Sequence, residues 1–505
     1  DNYVPALPGG IAQQLIKAAR QDWKEIDPTI FGTLFERAID PSKRAQLGAH
    51  YTSRDDIMLI VEPVLLKPLQ RQWADIRQEA DSARANYDKA KTGKTRSKYI
   101  DELLELREKM LKALGDITVL DPACGSGNFL YVALQSLLDF EQQVLTYSAW
   151  SRVPDISLID PRVHPKQMYG IEKNPIAHAL ASIVVWIGYL QWKVHNGYRA
   201  VGRPILQDIH ENILNMDAIL AYDAEGNPIE PEWQAVDVII GNPPFLGGSK
   251  IFGELGEKYQ HDIWKVYKDR VAGFADLVCY WFEKARTQIE NKKVKRAGLL
   301  ATNSIRGGAN RDVLKRISET GDIFMAYSDR EWVLDGAAVR VSMVGYDSGI
   351  ENEKTLDGMI VQKINPDLTT NVDITLSKPL IENGHLGFMG GVRNGPFDID
   401  ELTAEKLLND KNKNNLPNSD VVKKWLNGSD IVKNPRNMWI IHFGHNTSLE
   451  NAKKYKAPFE YIKQHVHPVR LKKRTKKLRD YWWLHESTRP NMQEALKPLR
   501  KFIAT

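Results

Sequence analysis

The chain has 505 residues, 42% hydrophobic and 26% charged, with a formal net charge of +5. It is longer than one core supports and too apolar for a disordered chain, so two or three packed domains are expected, and bulk charge does not mark a nucleic-acid binder. Its two cysteines, Cys124 and Cys279, lack CxxC or Cys/His zinc spacing, which argues against a disulfide framework or a metal site and fits a reducing cytoplasm.

No apolar run reads as a membrane span, so no membrane partner is expected, and the opening at Asp1 without methionine reads as a piece trimmed from a longer protein. Residues 11–39 read as helical, with Leu15, Ile16, Ile26, Ile30, Leu34 and Phe35 at roughly helical intervals. The polar loop Gln46–Arg54 leads into a helix, with Ser53 or Thr52 as N-cap and Asp55 and Asp56 favouring its N-terminus. Residues 70–113, rich in charge, alanine and leucine and interrupted by Lys91-Thr-Gly-Lys94, read as a solvated helical hairpin with a basic tip.

From Ile117 to about residue 346 the pattern is strand–loop–helix alternation. Ile117–Asp121, Gln167–Ile171, Ile213–Asp217, Val236–Ile240, Ala297–Ala301, Ile323–Tyr327 and Val339–Tyr346 read as seven strands, with helices such as Phe129–Leu145, Ile176–Gln191 and Phe274–Ile289 between them. The expected fold is α/β, a doubly wound, mostly parallel sheet. Periodicity weakens between Asn352 and Asp373, where a boundary is placed. The expected domains are a helical connector over 1–45, the α/β domain over 46–360 and a turn-rich, basic α+β domain over 361–505. Asp410–Ser419, an Asn/Lys-rich stretch, reads as a flexible loop.

Asn242-Pro-Pro-Phe245 follows the apolar run Asp237–Gly241. Two successive prolines fix two φ angles and remove two donors, so the loop is stiff. It reads either as a structural turn or as a grip for an exocyclic amine, with the Asn242 oxygen and the Pro243 carbonyl accepting its hydrogens and Phe245 stacking on its ring. Asp121-Pro-Ala-Cys-Gly-Ser-Gly127-Asn-Phe129 follows the first strand and lets the backbone pass close to a ligand, without GxGxxG spacing or a Walker lysine. Glu172 ends the second strand, where ribose hydroxyls would be held, and Asp217 ends the third.

Asp121–Phe129 together with Asn242–Phe245 resembles the S-adenosylmethionine-dependent amino-methyltransferases that modify adenine N6 in DNA. With Gly48–Ser53 ahead of the glycine loop and a basic domain closing the chain, the order resembles their γ class. Asp27–Phe35, Gly241–Gly247, Asp276–Trp281 and Ala301–Ser304 resemble the methyltransferase part of the large type IIG/IIL (MmeI-like) restriction–modification enzymes, over roughly residues 20–350. The resemblance implies a Rossmann-like methyltransferase domain, a C-terminal target-recognition domain, S-adenosylmethionine as cofactor and double-stranded DNA as partner. It puts Tyr51 and Thr52 in the cofactor site, Asp121, Ala123, Gly125, Gly127 and Phe129 on the methionine side, Glu172 on the ribose and Asp217 on the adenine. Asn242, Pro243, Pro244 and Phe245 become the catalytic loop, Asn242 also bordering the cofactor. About forty residues separate Gly127 from Glu172, more than a dinucleotide fold uses, and Ser148–Pro165 reads as an inserted loop.

Arg470, Lys472, Lys473, Arg474, Lys476, Lys477 and Arg479 form the densest basic run and are expected on the DNA backbone, with the neighbouring Trp482 and Trp483 in the core. Gly247-Gly-Ser-Lys250 reads as a mobile segment that closes over a flipped base. A cytosine-C5 mechanism is set aside because neither cysteine follows proline. The Asp…Glu-x-Lys pattern of the nuclease carried by the large relatives is not found, so its place would lie in a trimmed segment or in other subunits of a phage-defence system. The expected activity is site-specific DNA adenine-N6 methylation within a restriction–modification or related system. An RNA or protein-amide methyltransferase and a non-catalytic DNA-binding scaffold are the rival readings.

Overall fold

Short β-branched and apolar runs build the sheet of the first part of the chain. The structure, a computed structural model, describes residues 9–20, 28–30, 32, 52–153, 160–198, 212–334, 337–370, 381–382, 386–412, 415–428, 430, 436–473, 475–501 and 503. The chain divides into two compact units, Asp1–Leu376 and Ser377–Thr505.

In the first unit the sheet strands are β1 (Val119–Asp121), β2 (Met168–Glu172), β3 (Ile213–Asn215), β4 (Val238–Gly241), β5 (Arg296–Thr302), β6 (Asp322–Leu334), β7 (Ala337–Asp347), β8 (Lys354–Leu356) and β9 (Met359–Val361). They form one nine-stranded sheet in the order β9-β8-β6-β7-β5-β4-β1-β2-β3. From β3 to β5 neighbours are parallel, whereas β7 runs antiparallel between β5 and β6. The seven strands read from the sequence all form. The last two, too short to give a periodic signal, extend the edge.

Both faces of the sheet are covered, as continuous apolar strands require. Val238 and Ile240 of β4 enter one apolar core, and Ile239 between them enters the other. The first core is closed by α2 (Arg54–Val61), α3 (Lys67–Lys89), α4 (Gly93–Asp116), α5 (Asn128–Leu145) and α6 (Pro175–His195). The second is closed by α7 (Gly248–Leu255), α8 (Glu257–Val266), α9 (Val278–Glu290) and α10 (Arg311–Thr320). Of the helical stretch expected over 11–39, α1 (Gly9–Ala19) is seen, and most of the remainder lies outside the described residues. Ser53 caps α2, its Oγ accepting the Asp56 N–H at 3.2 Å. The expectation of no span-length apolar run needs correction: α6 is long and apolar enough to cross a membrane. Its Ala181, Val184, Val185, Tyr189 and Trp192 are nevertheless packed in the first core.

α9 and α10 are joined by a buried charge. Glu283 accepts Nε and Nη2 of Arg286 at 2.9 Å each, and Nε and Nη2 of Arg316 at 3.0 Å each. Burial by itself would raise this carboxyl, but the two guanidiniums hold it below the usual range. Its neighbour Lys284 is also buried and donates to the Pro231 carbonyl. Both residues of this Glu-Lys pair are thus structural.

The second unit has a three-stranded antiparallel sheet of β10 (Asp398–Ile399), β11 (Val422–Lys424) and β12 (Trp439–Ile441), in the order β10-β12-β11. Its helices include α11 (Glu401–Asn409), α12 (Lys456–His465), α13 (His467–Leu471), α14 (Lys476–Asp480) and α15 (Pro490–Leu496). Phe397, Ile399, Leu407, Ile441, Phe459, Ile462 and Trp483 form its core. Within the stretch 410–419, expected to be a flexible loop, residues 413 and 414 lie outside the described residues, while Asn412 and Asn418 are buried and hydrogen-bonded. Asn418 Nδ2 donates to the carbonyls of Leu407 and Asp410, and Asn412 Nδ2 to that of Leu416 and to Asn418 Oδ1.

Replacing Glu283 by alanine leaves Arg286, 4% exposed, without its buried partner. The first unit should lose about 3–5 kcal/mol of stability. Chemical denaturation followed by the fluorescence of its tryptophans should register this as an earlier transition.

Candidate active site

The strand order reverses between β1 and β4, and in open α/β sheets ligands bind outside the carboxyl ends of strands at such a point. Asp121 ends β1 and Gly241 ends β4. The two ends nearly touch: a Cβ on Gly241 would lie 2.5 Å from Asp121 Oδ1. Glycine is therefore required immediately before Asn242.

The loop after β1 is folded on itself and held from below. Asp121 Oδ1 accepts the Ala123 N–H at 3.0 Å, Cys124 N–H donates to the Ile171 carbonyl at 3.1 Å, and Gly127 N–H donates to the Cys124 carbonyl at 2.7 Å. Gly127 has φ +88°, and a Cβ there would come within 3.0 Å of Ala181 Cα on α6. Its lack of a side chain lets α5 start against α6. Phe129, in the first turn of α5, is buried in the core beneath the loop. Asp121 is 1% exposed. Burial pushes its carboxyl up to about 8, the Glu172 charge adds to the rise, and the Ala123 N–H opposes it.

Glu172, at the end of β2, bridges two loops. Its Oε2 accepts Gly125 N–H at 2.9 Å and its Oε1 accepts Asn174 N–H at 2.7 Å. Burial raises this carboxyl and the backbone donors oppose the shift. Asp217, just past β3, is fully engaged. Oδ1 accepts the N–H groups of Ile219 and Leu220 at 2.9 and 3.2 Å. Oδ2 accepts Lys173 Nζ and Tyr259 Oη, both at 2.9 Å.

Asn242, directly after Gly241, reaches Thr52, two residues before α2. Its Nδ2 donates to Thr52 Oγ1 at 3.1 Å, while its Oδ1 is shielded from solvent without a hydrogen-bond partner among the described residues. A buried carbonyl left in this state costs free energy unless something donates to it. Pro243 is buried, Pro244 half-buried, and Phe245 packs partly buried against the first core. Thr52 thus contacts Asn242 directly. Tyr51, the other expected contributor from this segment, lies outside the described residues.

Three contributors carried no assigned role in the sequence reading. Trp281 Nε1 donates to the Pro122 carbonyl at 3.0 Å, fixing the glycine loop from α9. Tyr259 and Lys173 close around Asp217, Lys173 lying 4.8 Å from the Tyr259 ring centre. Trp281 belongs to a motif already singled out, whereas Tyr259 is 42 residues from Asp217 and no local pattern links them. Residues 247–250, expected as a mobile segment, instead open α7. The Gly248 N–H is held by Asp276 Oδ1 at 2.9 Å. Both cysteines are buried with their thiols pushed up by burial, which disfavours a thiolate nucleophile.

In the second unit the basic run is mixed in character. Arg470, expected on the DNA backbone, is fully buried, and its Nη2 donates to the carbonyls of Arg393 and Leu484. It is a core residue: α13 turns it over the Phe397 ring, 5.4 Å from the ring centre. Lys472, Lys476 and Lys477 are exposed; Lys473 and Arg479 are half-buried, with Arg479 Nη1 donating to the Lys473 carbonyl at 2.7 Å. Arg474 lies outside the described residues. Trp483 is buried, and Trp482 packs beside Phe459 and His467.

The sequence model of the family described as the MmeI DNA-methyltransferase domain matches residues 89–357. The chain belongs to this family. It is 28% identical over 410 residues to DNA methyltransferase A of Bacillus subtilis (strain 168), covering 76% of this chain and 42% of that protein. The chain therefore spans less than half the length of that curated relative. Among solved structures, the type IIL restriction–modification enzyme MmeI, determined in complex with DNA, superposes with a TM-score of 0.67 at 22% identity. That match covers 95% of this chain and 62% of the MmeI chain, and it shows a shared fold.

The Asp121 carboxyl gives a signed pH dependence. Its folded-state value of about 8 lies above the ordinary 3.8, so the folded state keeps a proton that the unfolded chain has released. This group's effect on stability worsens as pH rises from about 4 to about 8. Asp121→Asn, which mimics the neutral acid, should match the wild-type melting temperature at the acid end and gain on it progressively up to about pH 8, with no further gain above. Melting curves of both proteins across that range test this.

Proposed function

We propose that this protein is a site-specific DNA methyltransferase that uses S-adenosylmethionine to methylate adenine N6 on a flipped-out base. It would act in the bacterial cytoplasm within a restriction–modification or related defence system, and the second unit would recognise the target. Family membership supports DNA methylation. The observation that carries the choice of amine chemistry is the buried Asn242 Oδ1, without a partner among the described residues, whose amide nitrogen is already committed to Thr52. An acceptor set in that way awaits a donor, and an exocyclic amine supplies one.

The chain's residues have separable tasks. Asn242 Oδ1 and the Pro243 carbonyl accept the two amine hydrogens, favouring a pyramidal nitrogen whose lone pair is no longer delocalised into the ring. Phe245 offers the ring on which the extruded base stacks. S-adenosylmethionine, when bound, supplies an electrophilic sulfonium methyl. The acceptors present fit that cofactor. The Glu172 oxygens accept backbone N–H groups, and a carboxylate has lone-pair capacity left for a ribose hydroxyl. Asp217 could accept from an adenine amine once Lys173 or Tyr259 turns aside. Asp121, Ala123, Gly125 and Gly127 would border the methionine side. Orientation rather than a strong base supplies much of the rate enhancement.

Transfer of labelled methyl from S-adenosylmethionine to mixed-sequence duplex DNA tests the proposal. Label should be recovered as N6-methyladenine, with transfer reduced about a hundredfold or more in Asn242→Ala. Recovery as N4-methylcytosine would reject the base assignment, and cofactor binding without DNA transfer would favour the RNA or protein-amide reading. Failure to bind the cofactor would favour the scaffold.

Lys472, Lys476 and Lys477 are the members of the basic run best exposed to meet phosphates. Changing all three to glutamine should flatten the dependence of log affinity on log salt by about 0.9 per lost phosphate contact. Arg470→Gln should act differently, lowering stability instead of the slope. DNA titrations at several salt concentrations, with melting curves, separate the two effects.

A further inference from the structure

Two motifs carry no role in the chemistry above, Asp276–Trp281 and Ala301–Ser304, and they meet just behind the catalytic loop. Asp276 Oδ1 accepts the Gly248 N–H at 2.9 Å. Its Oδ2 accepts Ser304 Oγ at 2.6 Å and Asn310 Nδ2 at 2.7 Å. The Asp276 N–H donates to Asn310 Oδ1 at 2.8 Å, and the next N–H, of Leu277, donates to the Leu246 carbonyl at 2.8 Å. Among the described residues no lysine or arginine pairs with Asp276, so its carboxylate is held by uncharged donors drawn from three separate segments.

We infer that Asp276 is a positioning residue that fixes the far end of the Asn242–Phe245 loop. Resting on the methyl-transfer reading, this assigns Asp276 to the geometry of the reaction. The near end is already fixed, because Gly241 is paired with Leu299 in β5 and pressed against Asp121. Between the two anchors lie Asn242, two prolines, Phe245, Leu246 and Gly247. The prolines remove most of the torsional freedom inside the span. Clamping Leu246 and Gly248 then sets where Asn242 Oδ1, the Pro243 carbonyl and the Phe245 ring point. Ser304 and Asn310 hold the Asp276 carboxylate in turn, so the loop's position depends on the turn after β5 as well as on its own strand.

The test combines amide hydrogen exchange with kinetics on the full chain. In Asp276→Asn the new amide presents an N–H group to donors that had faced oxygen. Exchange across 246–249 should quicken while that of 123–129 stays as in wild type. The turnover number should fall about ten- to a hundredfold, with KM for S-adenosylmethionine within about twofold. Ser304→Ala, an exposed position, should move the same readouts in the same direction by less, and the double variant should be no worse than Asp276→Asn alone. Should Asp276→Asn fail to fold, Ser304→Ala carries the comparison. Unchanged exchange at 246–249, or quickening spread evenly over the first unit, overturns the inference. If wild type transfers no methyl, the methyl-transfer reading fails, while the exchange data still decide whether Asp276 anchors the loop.

Discussion

The first unit depends on the near-contact between the ends of β1 and β4. A buried carboxyl at Asp121 lies so close to Gly241 that no Cβ fits between them. This contact brings the glycine loop and the Asn242 loop to one edge, although their sequence positions are far apart. The reversal of strand order there means that the helix following each strand leaves on its own side, opening a crevice over the strand ends. A side chain at 241 would displace the Asp121 carboxyl, which holds the Ala123 N–H of the glycine loop.

Among the described residues the candidate site gathers carboxyl and carbonyl oxygens. Asp121, Glu172, Asp217 and the Asn242 carbonyl line it, and burial raises the first two carboxyls. The backbone donates to these oxygens: the Ala123 N–H to Asp121, and the Gly125 and Asn174 N–H groups to Glu172. Such an edge suits a ligand that brings positive charge and N–H or O–H donors, which is the character of the cofactor and of the amine proposed here. Asp217 differs from the other acids because a lysine and a tyrosine already occupy one of its oxygens.

Much of this arrangement was legible in the sequence because its determinants are local. A glycine loop after a buried strand, an acid at a strand end and a doubled proline after a β-branched run each specify their own backbone within a few residues. The misreadings come from side chains whose role depends on distant partners. Arg470 lies in a run of cations, yet helical turning carries this one over Phe397 and into the core. Charge density could not single it out. The Asn/Lys stretch at 410–419 has the composition of a loop, but Asn412 and Asn418 find buried carbonyls that only the folded unit provides. Ser249 and Lys250 follow two glycines and still begin a helix, because Asp276 holds the Gly248 N–H. The link from Tyr259 to Asp217 joins α8 to the turn after β3, which no short window encodes.

Methylation of an aromatic amine calls for no strong base beside Asn242. An aromatic amine is a weak base and holds its protons tightly before the methyl arrives. Once nitrogen has formed its fourth bond it is strongly acidic and yields a proton to water or to any weak acceptor. A base of high pKa would gain nothing before transfer and is unnecessary afterwards. What the reaction requires throughout is the direction of the nitrogen lone pair, and an amide carbonyl with a proline carbonyl can set that direction only if their loop does not drift. A stiff Pro-Pro segment anchored through Gly241 and through Asp276 meets that requirement with backbone geometry alone. On this argument the rate should be sensitive to contacts that never reach the substrate, and the hydroxyl of Thr52, which accepts from the Asn242 amide nitrogen, is the nearest of them.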